Sequence, residues 1–176
     1  MAAPTVSWAI APIASEHIPG FWRAVDQVAR EGRYLALLQS PPIEATRAFV
    51  ASNLARGNPH FVVLHEGQVI GWCDIVRQER ETRAHCGTLG MGLLPRWRGQ
   101  GIGRRLIETA IAAAWRQDFK RIELTVNDGN ERALRLYRSV GFVEEGRFRQ
   151  AARFGEDYLD VIWMALLAEG MLAGKE

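Results

Sequence analysis

Between Leu89 and Trp115 the chain changes its hydrophobic period once, and it makes the change on glycine. The apolar run "LGMGLL" has the short, bounded character of a strand, and "LIETAIAAAW" has the spacing of a helix. "PRWRGQGIGRR" joins them with three glycines at alternate positions among four arginines. Strand, glycines and helix together make a recipe for an anion site. The first N–H groups of a helix have no intrahelical partner and lie at the positive end of its dipole. Glycine lets the main chain approach phosphate oxygens with no Cβ in between. The amides of Gly99, Gln100, Gly101, Ile102, Gly103 and Arg104 are therefore expected to cradle a diphosphate, with Arg98, Arg104 and Arg105 neutralising its remaining charge.

Three other readings of the glycines compete. A Walker loop needs Lys and then Ser or Thr after its last glycine, and Arg104-Arg105 stands there instead. A dinucleotide fingerprint needs glycine where Leu106 stands. Glu123 does fall where a ribose-binding acid would, but inside "RIEL" rather than at a strand end. A glycine-rich turn without any ligand stays open on the glycines alone.

The rest of the chain sets the context. Its 176 residues suit one domain, expected over 1–176 with about the last eight residues frayed. A net charge of +2 excludes the broad basic surface of a nucleic-acid binder, so the arginine cluster is sized for one small polyanion. The beginning of the chain lacks a secretory pattern, and no apolar run is long enough to span a bilayer. Cys73 and Cys86 have no metal-ligand spacing and are expected as reduced, buried thiols of a cytoplasmic protein without a metal.

Pattern then gives the element order. Residues 5–11 alternate as a first strand, and a helix capped by Ser15 places apolar residues at 18, 21, 22, 25, 28 and 29. "EGRYLALLQSPP" reads as a loop, followed by a helix over Ile43 to Arg56. "FVVLHEGQVIGWCDIV" is two strands about a tight turn at Glu66-Gly67. In the next strand, "AHCGTLGMGLL", Gly87, Gly90 and Gly92 mark a bulge or the close approach of a ligand. The helix after the glycines carries one stripe of Ile102, Leu106, Ile107, Ala110, Ile111 and Ala114. "RIELTV" is a buried strand, Asn130 caps a last helix stopped at Gly141, and two strands close around Phe154-Gly155-Glu156. This is a mixed α/β layered domain.

Two blocks in this order resemble a known family. Arg98-Gly-Gln-Gly101-Ile-Gly103 resembles the [Gln/Arg]-x-x-Gly-x-[Gly/Ala] signature of the GNAT superfamily of N-acetyltransferases, which holds the pyrophosphate of acetyl-CoA. Asn130 to Phe142 resembles that family's Asn-x-x-Ala-x-x-Leu-Tyr-x-x-x-Gly-Phe, with Ala133, Leu136, Tyr137 and Gly141 in place. The resemblance covers nearly the whole chain and is nearest to a bacterial branch acting on small amines or amino acids. It implies a mixed, mostly antiparallel, splayed sheet of about seven strands with about four helices on its faces. It further implies that the main chain of Met91, Gly92 and Leu93 pairs with the pantetheine arm like an added strand, that Asn130 meets that arm, and that Tyr137 stands near the sulfur. Relatives often dimerise through their last strands, so a homodimer is implied too.

Acetyl transfer to an amine needs a deprotonated nucleophile, a polarised thioester oxygen and a protonated leaving thiolate. The resemblance makes Tyr137 the acid for the thiolate, and the amide of Leu93 is the candidate to polarise the carbonyl. The base stays open. Where relatives carry Glu, this chain has Thr88 and Thr125, leaving Glu123, His85, Asp74 or a water chain. Asp74 is equally a candidate to bind the substrate ammonium. Glu31, Arg33 and Tyr34, in the loop that covers the acceptor side of this fold, mix charge and aromatic character as an amine or amino-acid pocket would. The function expected is acetyl transfer from acetyl-CoA to a small primary amine by direct attack in a ternary complex. The alternatives are a protein N-terminal or lysine acetyltransferase, a silent coenzyme-binding module and a nicotinamide-dependent oxidoreductase.

Overall fold

The computed structural model describes residues 7–169. Among them seven strands form one sheet in the order β1-β2-β3-β4-β5-β7-β6. They are β1 (Ala9–Pro12), β2 (His60–His65), β3 (Gln68–Arg77), β4 (Cys86–Leu93), β5 (Arg121–Asn127), β6 (Val143–Phe154) and β7 (Asp157–Leu167). Four helices cover it: α1 (Ile18–Ala29), α2 (Ile43–Ala55), α3 (Ile102–Arg116) and α4 (Glu131–Ser139). Every strand pair is antiparallel except β4 with β5, which the α3 crossover makes parallel. The expected architecture is the observed one.

Two cores follow from strand alternation. Cys73 and Ile75 of β3, Leu89 of β4, Ile122, Leu124 and Val126 of β5 and Ile162 and Met164 of β7 point to the face covered by α3 and α4. Val62 of β2 and Val69 and Trp72 of β3 point to the other face, where α1 packs Phe21, Ala24, Val25 and Val28 and α2 packs Val50. The stripe foreseen on α3 is buried along its whole length. Glu66 (φ 47°) and Gly67 (φ 74°) make the two-residue turn between β2 and β3, both in the left-handed region such a hairpin requires.

Three local expectations are corrected. Ser15 does not cap α1: a short 3₁₀ turn holds residues 15–17, and the His17 ring accepts the Ala14 N–H at Nδ1 (3.0 Å), closing that turn in place of a serine cap. The helix then starts at Ile18, with Pro19 in a first turn where a missing N–H costs nothing. β6 begins at Val143, before the expected "GRFRQAA" segment, and its bulge between Phe148 and Ala152 absorbs Gln150 at φ 50°. β4 has no bulge against β3. Two of its glycines make room for side chains, Gly92 under the Trp72 ring and Gly87 under Ile75 and Phe119. The start of the expected first strand, residues 5 and 6, and most of the tail expected to fray lie outside the described residues.

A Cβ at Gly87 would stand 2.6 Å from Ile75 Cγ2 and 2.7 Å from Phe119 Cε1. Gly87→Ala should therefore destabilise the domain by about 1–3 kcal/mol, the usual cost of overpacking a close-packed core. Urea denaturation at equilibrium checks this; a midpoint equal to wild type would mean that the core there has slack.

Candidate active site

β4 and β5 pair at only three positions, Cys86 with Arg121, Gly87 with Ile122 and Thr88 with Glu123. Beyond Thr88 they part. β4 stays bonded to β3 as far as Leu93, and β5 to β7 as far as Asn127, so one edge of each strand borders the gap. Antiparallel alternation fixes which groups face it. The Gln78 N–H bonds the Cys86 carbonyl and the Leu94 N–H bonds the Ile70 carbonyl. Even-numbered residues of β4 therefore turn their main chain to β3, and Leu89, Met91 and Leu93 turn theirs to the gap. A cavity of about 380 Å³ fills that gap, walled by residues 89–93, Thr125, Val126, Asn130, Tyr137 and Tyr34.

Beside Leu93, Arg98 and Leu136 of the cavity wall lies the glycine corner. Gly99 (φ 76°) and Gly101 (φ 79°) are left-handed, and the space where their Cβ atoms would be is open. Gly101 is the N-cap of α3 and offers no side chain, so the amides of Ile102, Gly103 and Arg104 remain free of intrahelical partners. Gly103 keeps α3 close to its neighbours: a Cβ there would meet Leu93 at 3.3 Å and Leu136 at 3.4 Å. The Gln100 side chain folds back to the Arg96 carbonyl (2.8 Å), and the Ile102 side chain is fully buried, so both can serve an anion only through the main chain. An uncapped helix start and two left-handed glycines with open space at their Cβ positions suit a diphosphate.

The arginines are each engaged within the fold. Arg98 donates from both terminal nitrogens to the Glu31 carboxylate, one at 2.8 Å, and from Nε to the Leu93 carbonyl at 2.8 Å. Its charge is already paired. Arg104 is paired with Glu108 (2.9 Å), and Arg105 stacks over Trp8 at 4.9 Å beside β1, away from the gap. Glu31 and Arg98 therefore tie the loop of residues 30–42 to the end of β4. The same loop is held by the Asn127 side chain donating to the Arg33 carbonyl (2.9 Å) and by Ser40 N–H donating to Asp26 (2.9 Å). Tyr34, Leu35 and Ala36 thereby roof the cavity, while the exposed Arg33 stacks on Tyr34 from outside at 5.1 Å.

The titratable candidates separate clearly. Tyr137 lines the cavity from α4, where the Asn130 side chain caps the helix by accepting the Ala133 N–H (3.3 Å). Burial, with a smaller contribution from Cys73, pushes its phenol well above the ordinary tyrosine range, so it holds its proton. Glu123 is buried at the closed end, paired with Arg83 and Arg121, and Arg121 is shared with Glu145. His85 is exposed just before β4, at the end of the strand opposite the cavity. Neither stands at the gap. Thr88 accepts from Gln78 (2.6 Å), and Thr125 lines the cavity without a basic group.

Asp74 is different. It is 7% exposed and lies against Gly90, a cavity wall, such that a Cβ at 90 would be 3.6 Å from both carboxyl oxygens. Burial raises its pKa to about 7, and no cation or donor is bonded to it among the described residues. Directly across β2 from it is His60, 4% exposed, whose pKa burial lowers to about 4. No motif singled out His60; its only signal was a two-residue spacing from the buried Val62. Both cysteines are buried free thiols, and burial raises the pKa of each. Among the described residues no cluster of His, Cys, Asp and Glu could hold a metal, and no helix is long and apolar enough to cross a membrane.

Comparison with known proteins agrees with this geometry. A family model described as the acetyltransferase (GNAT) family matches residues 22–142. An L-amino acid N-acetyltransferase of Escherichia coli is 32% identical over 111 residues, 62% of this chain and 68% of its own length. A phosphinothricin N-acetyltransferase of Alcaligenes faecalis is 30% identical over 122 residues, 67% of this chain and 61% of its own. A phosphinothricin acetyltransferase of Sinorhizobium meliloti, solved in complex with acetyl-CoA, superposes with a TM-score of 0.88 at 19% identity, covering 94% of this chain and 91% of that one.

The Asp74 carboxyl has a testable energetic signature. Its folded pKa is above the unfolded value of 3.8, so the stability associated with it is complete below about pH 4 and is lost as pH rises through 7. The loss amounts to roughly 4 kcal/mol. Asp74→Asn should match wild-type Tm near pH 4 and exceed it by several degrees near pH 8, as scanning calorimetry would register; equal melting at both would mean that the carboxyl is well solvated.

Proposed function

Because the chain belongs to the acetyltransferase (GNAT) family, we propose that it transfers acetyl from acetyl-CoA to the primary amine of a small, amino-acid-like molecule by direct attack in a ternary complex. The observation that carries the choice of acceptor is the roof over the gap. Residues 30–42 are tied down by Glu31–Arg98 and Asn127–Arg33, and they close the acceptor side that an extended peptide would need open. The names of the L-amino acid and phosphinothricin relatives support the same class of acceptor.

The roles follow from placement. Acetyl-CoA supplies the activated acetyl thioester and a diphosphate anchor. The free amides at the start of α3 and the main chain of Gly99 and Gly101 bind that diphosphate, so affinity rests on fixed dipoles rather than on arginine side chains. Met91 offers its main-chain N–H and carbonyl to the pantetheine amides, as an edge strand offers them to an added strand, while the Leu93 carbonyl is already taken by Arg98. The Leu93 N–H is left to polarise the thioester oxygen, a role that gains strength away from water. Tyr137, kept neutral by burial, gives its proton to the departing thiolate. Direct attack fits a cavity that reaches both faces of the sheet: Tyr34 and Gly90 border it on the α1 side and Tyr137 on the α4 side.

Thiol release with the twenty L-amino acids, spermidine, phosphinothricin and a short peptide with a free N-terminus tests the reading. Turnover on a small amine is expected; faster turnover on the peptide would overturn the choice of acceptor. Tyr137→Phe should lower kcat about 100-fold while acetyl-CoA affinity stays within about twofold. A parallel loss of affinity would make the tyrosine architectural. Gly101→Val, which forces a branched side chain to φ 79° and fills the cradle, should weaken acetyl-CoA binding about tenfold or more by calorimetry. Unchanged affinity would place the diphosphate elsewhere.

A further inference from the structure

The face of the sheet under α1 and α2 holds a polar chain whose direction can be read without ambiguity. Its anchor is a main-chain donor. The Arg77 N–H donates to Asn58 Oδ1 (3.2 Å), which makes that atom the amide oxygen. Asn58 Nδ2 must then be the donor to Asn53 Oδ1 (3.1 Å), and Asn53 Nδ2 the donor to His60 Nδ1 (3.2 Å). A ring nitrogen that accepts carries no proton. The neutral His60 therefore bears its hydrogen on Nε2, and Nε2 is the buried side-chain atom left without a partner among the described residues.

An N–H buried to this degree without an acceptor is costly, and such groups ordinarily point to something the site uses. The residue opposite His60 in the strand register is Asp74, on the same face, at the Cβ separation of about 4.5–5.5 Å that cross-strand neighbours have. The elements packed there add little else that titrates. α1 turns Phe21, Ala24, Val25 and Val28 inward, α2 turns Val50 and Asn53, and β4 places Gly90 opposite Asp74. Cys73, next along β3, points to the other face. His60 is thus the titratable residue opposite Asp74 in the register, and Glu123, beside Thr88 on the same face, is already paired with Arg83 and Arg121.

Resting on the acetyltransferase reading above, we propose that Asp74 is the general base of the transfer and that His60, whose Nε2–H has no partner among the described residues, positions it by donating to the carboxylate once it ionises. Gly90 is what admits the acceptor. With no side chain at 90, the nearest groups to the empty Cβ position are the Asp74 oxygens, so the ammonium, or one water between, can reach them from the cavity. The acceptor's R–NH₃⁺ gives one proton to Asp74; its nitrogen forms the new bond to the acetyl carbon as the carbon–sulfur bond breaks. The thiolate takes the Tyr137 proton, and the second nitrogen proton, released as the amide forms, passes through water to restore the Tyr137 phenol. Asp74 returns its own proton to solvent. Base and acid lie on opposite faces of the sheet, matching an amine that enters under α1 and a thiol that leaves under α4. A carboxyl whose pKa is near 7 is suited to this task at neutral pH.

The test uses the best acceptor from the panel above and the full chain. Asp74→Asn should lower kcat about 100-fold with little change in acetyl-CoA affinity, and the acidic limb of the pH–rate profile near 7 should vanish. His60→Phe should move that limb upward, because the carboxylate loses a donor, and His60→Gln, which keeps an N–H in place, should restore it. An Asp74→Asn enzyme that keeps its kcat and its limb, or that changes only acceptor KM, overturns the base and leaves acetyl transfer standing. A His60→Phe enzyme that melts lower with an unmoved limb overturns the positioning role. If wild type acetylates none of the panel, the acceptor reading fails, and two measurements still decide this proposal. Carbon-13 titration should put the Asp74 carboxyl near 7, and nitrogen-15 spectra should show His60 protonated at Nε2. A carboxyl titrating below 5, or a proton on Nδ1, overturns it.

Discussion

The parting of β4 from β5 after Thr88 is what the rest of this molecule is arranged around. A parallel pair that stops after three residues leaves main-chain donors and acceptors bare in the middle of a sheet, where such groups are otherwise almost always matched. The closed end is clamped. Glu123 is gripped by Arg83 and Arg121, and Phe119 packs beneath Gly87, so the strands are joined firmly on one side of the gap and not at all on the other. The helices then complete the wedge, with α3 bringing its uncapped start against Leu93 and Leu136 of the wall and α4 presenting Tyr137 along it. A ligand with amides to pair and a diphosphate to seat satisfies both demands together.

Charge is spent less directly than the cluster of arginines suggests. Arg98 belongs to the signature block, yet its guanidinium holds Glu31 and the Leu93 carbonyl. The effect is mechanical: a residue from the coenzyme corner fixes the loop that roofs the acceptor side, and both parts of the pocket share one wall. Bidentate pairing of this kind demands the planar fork of arginine, which a lysine lacks.

Much of this was legible in the residues alone. The strand–glycine–helix junction, the α3 stripe, the Asn130 cap and the turn at Glu66-Gly67 are local features, and each formed where its local chemistry placed it. What was not legible depended on packing between distant segments. Gly87 and Gly92 read as marks of a bulge because Phe119 and Trp72, which pack over them, are remote in the chain. The pairing of Arg98 with Glu31 crosses 67 positions. The case of His60 is the sharpest. A regular hairpin about residues 66 and 67 would set His60 opposite Cys73, but an irregularity between Val63 and Leu64 shifts the register by one and delivers it to Asp74. Period-two reasoning carries no information about such a slip.

The interrupted outer strand has its own consequence. β6 is the last strand of the sheet, and its break between Phe148 and Ala152 divides the exposed margin into two short stretches, studded with Arg147, Arg149 and Arg153. A long, flat, apolar border would invite neighbouring chains to extend the sheet without limit. Kinked at Gln150, this border offers a neighbouring strand only short runs to pair with, so the hairpin that finishes the fold also resists fibrous stacking.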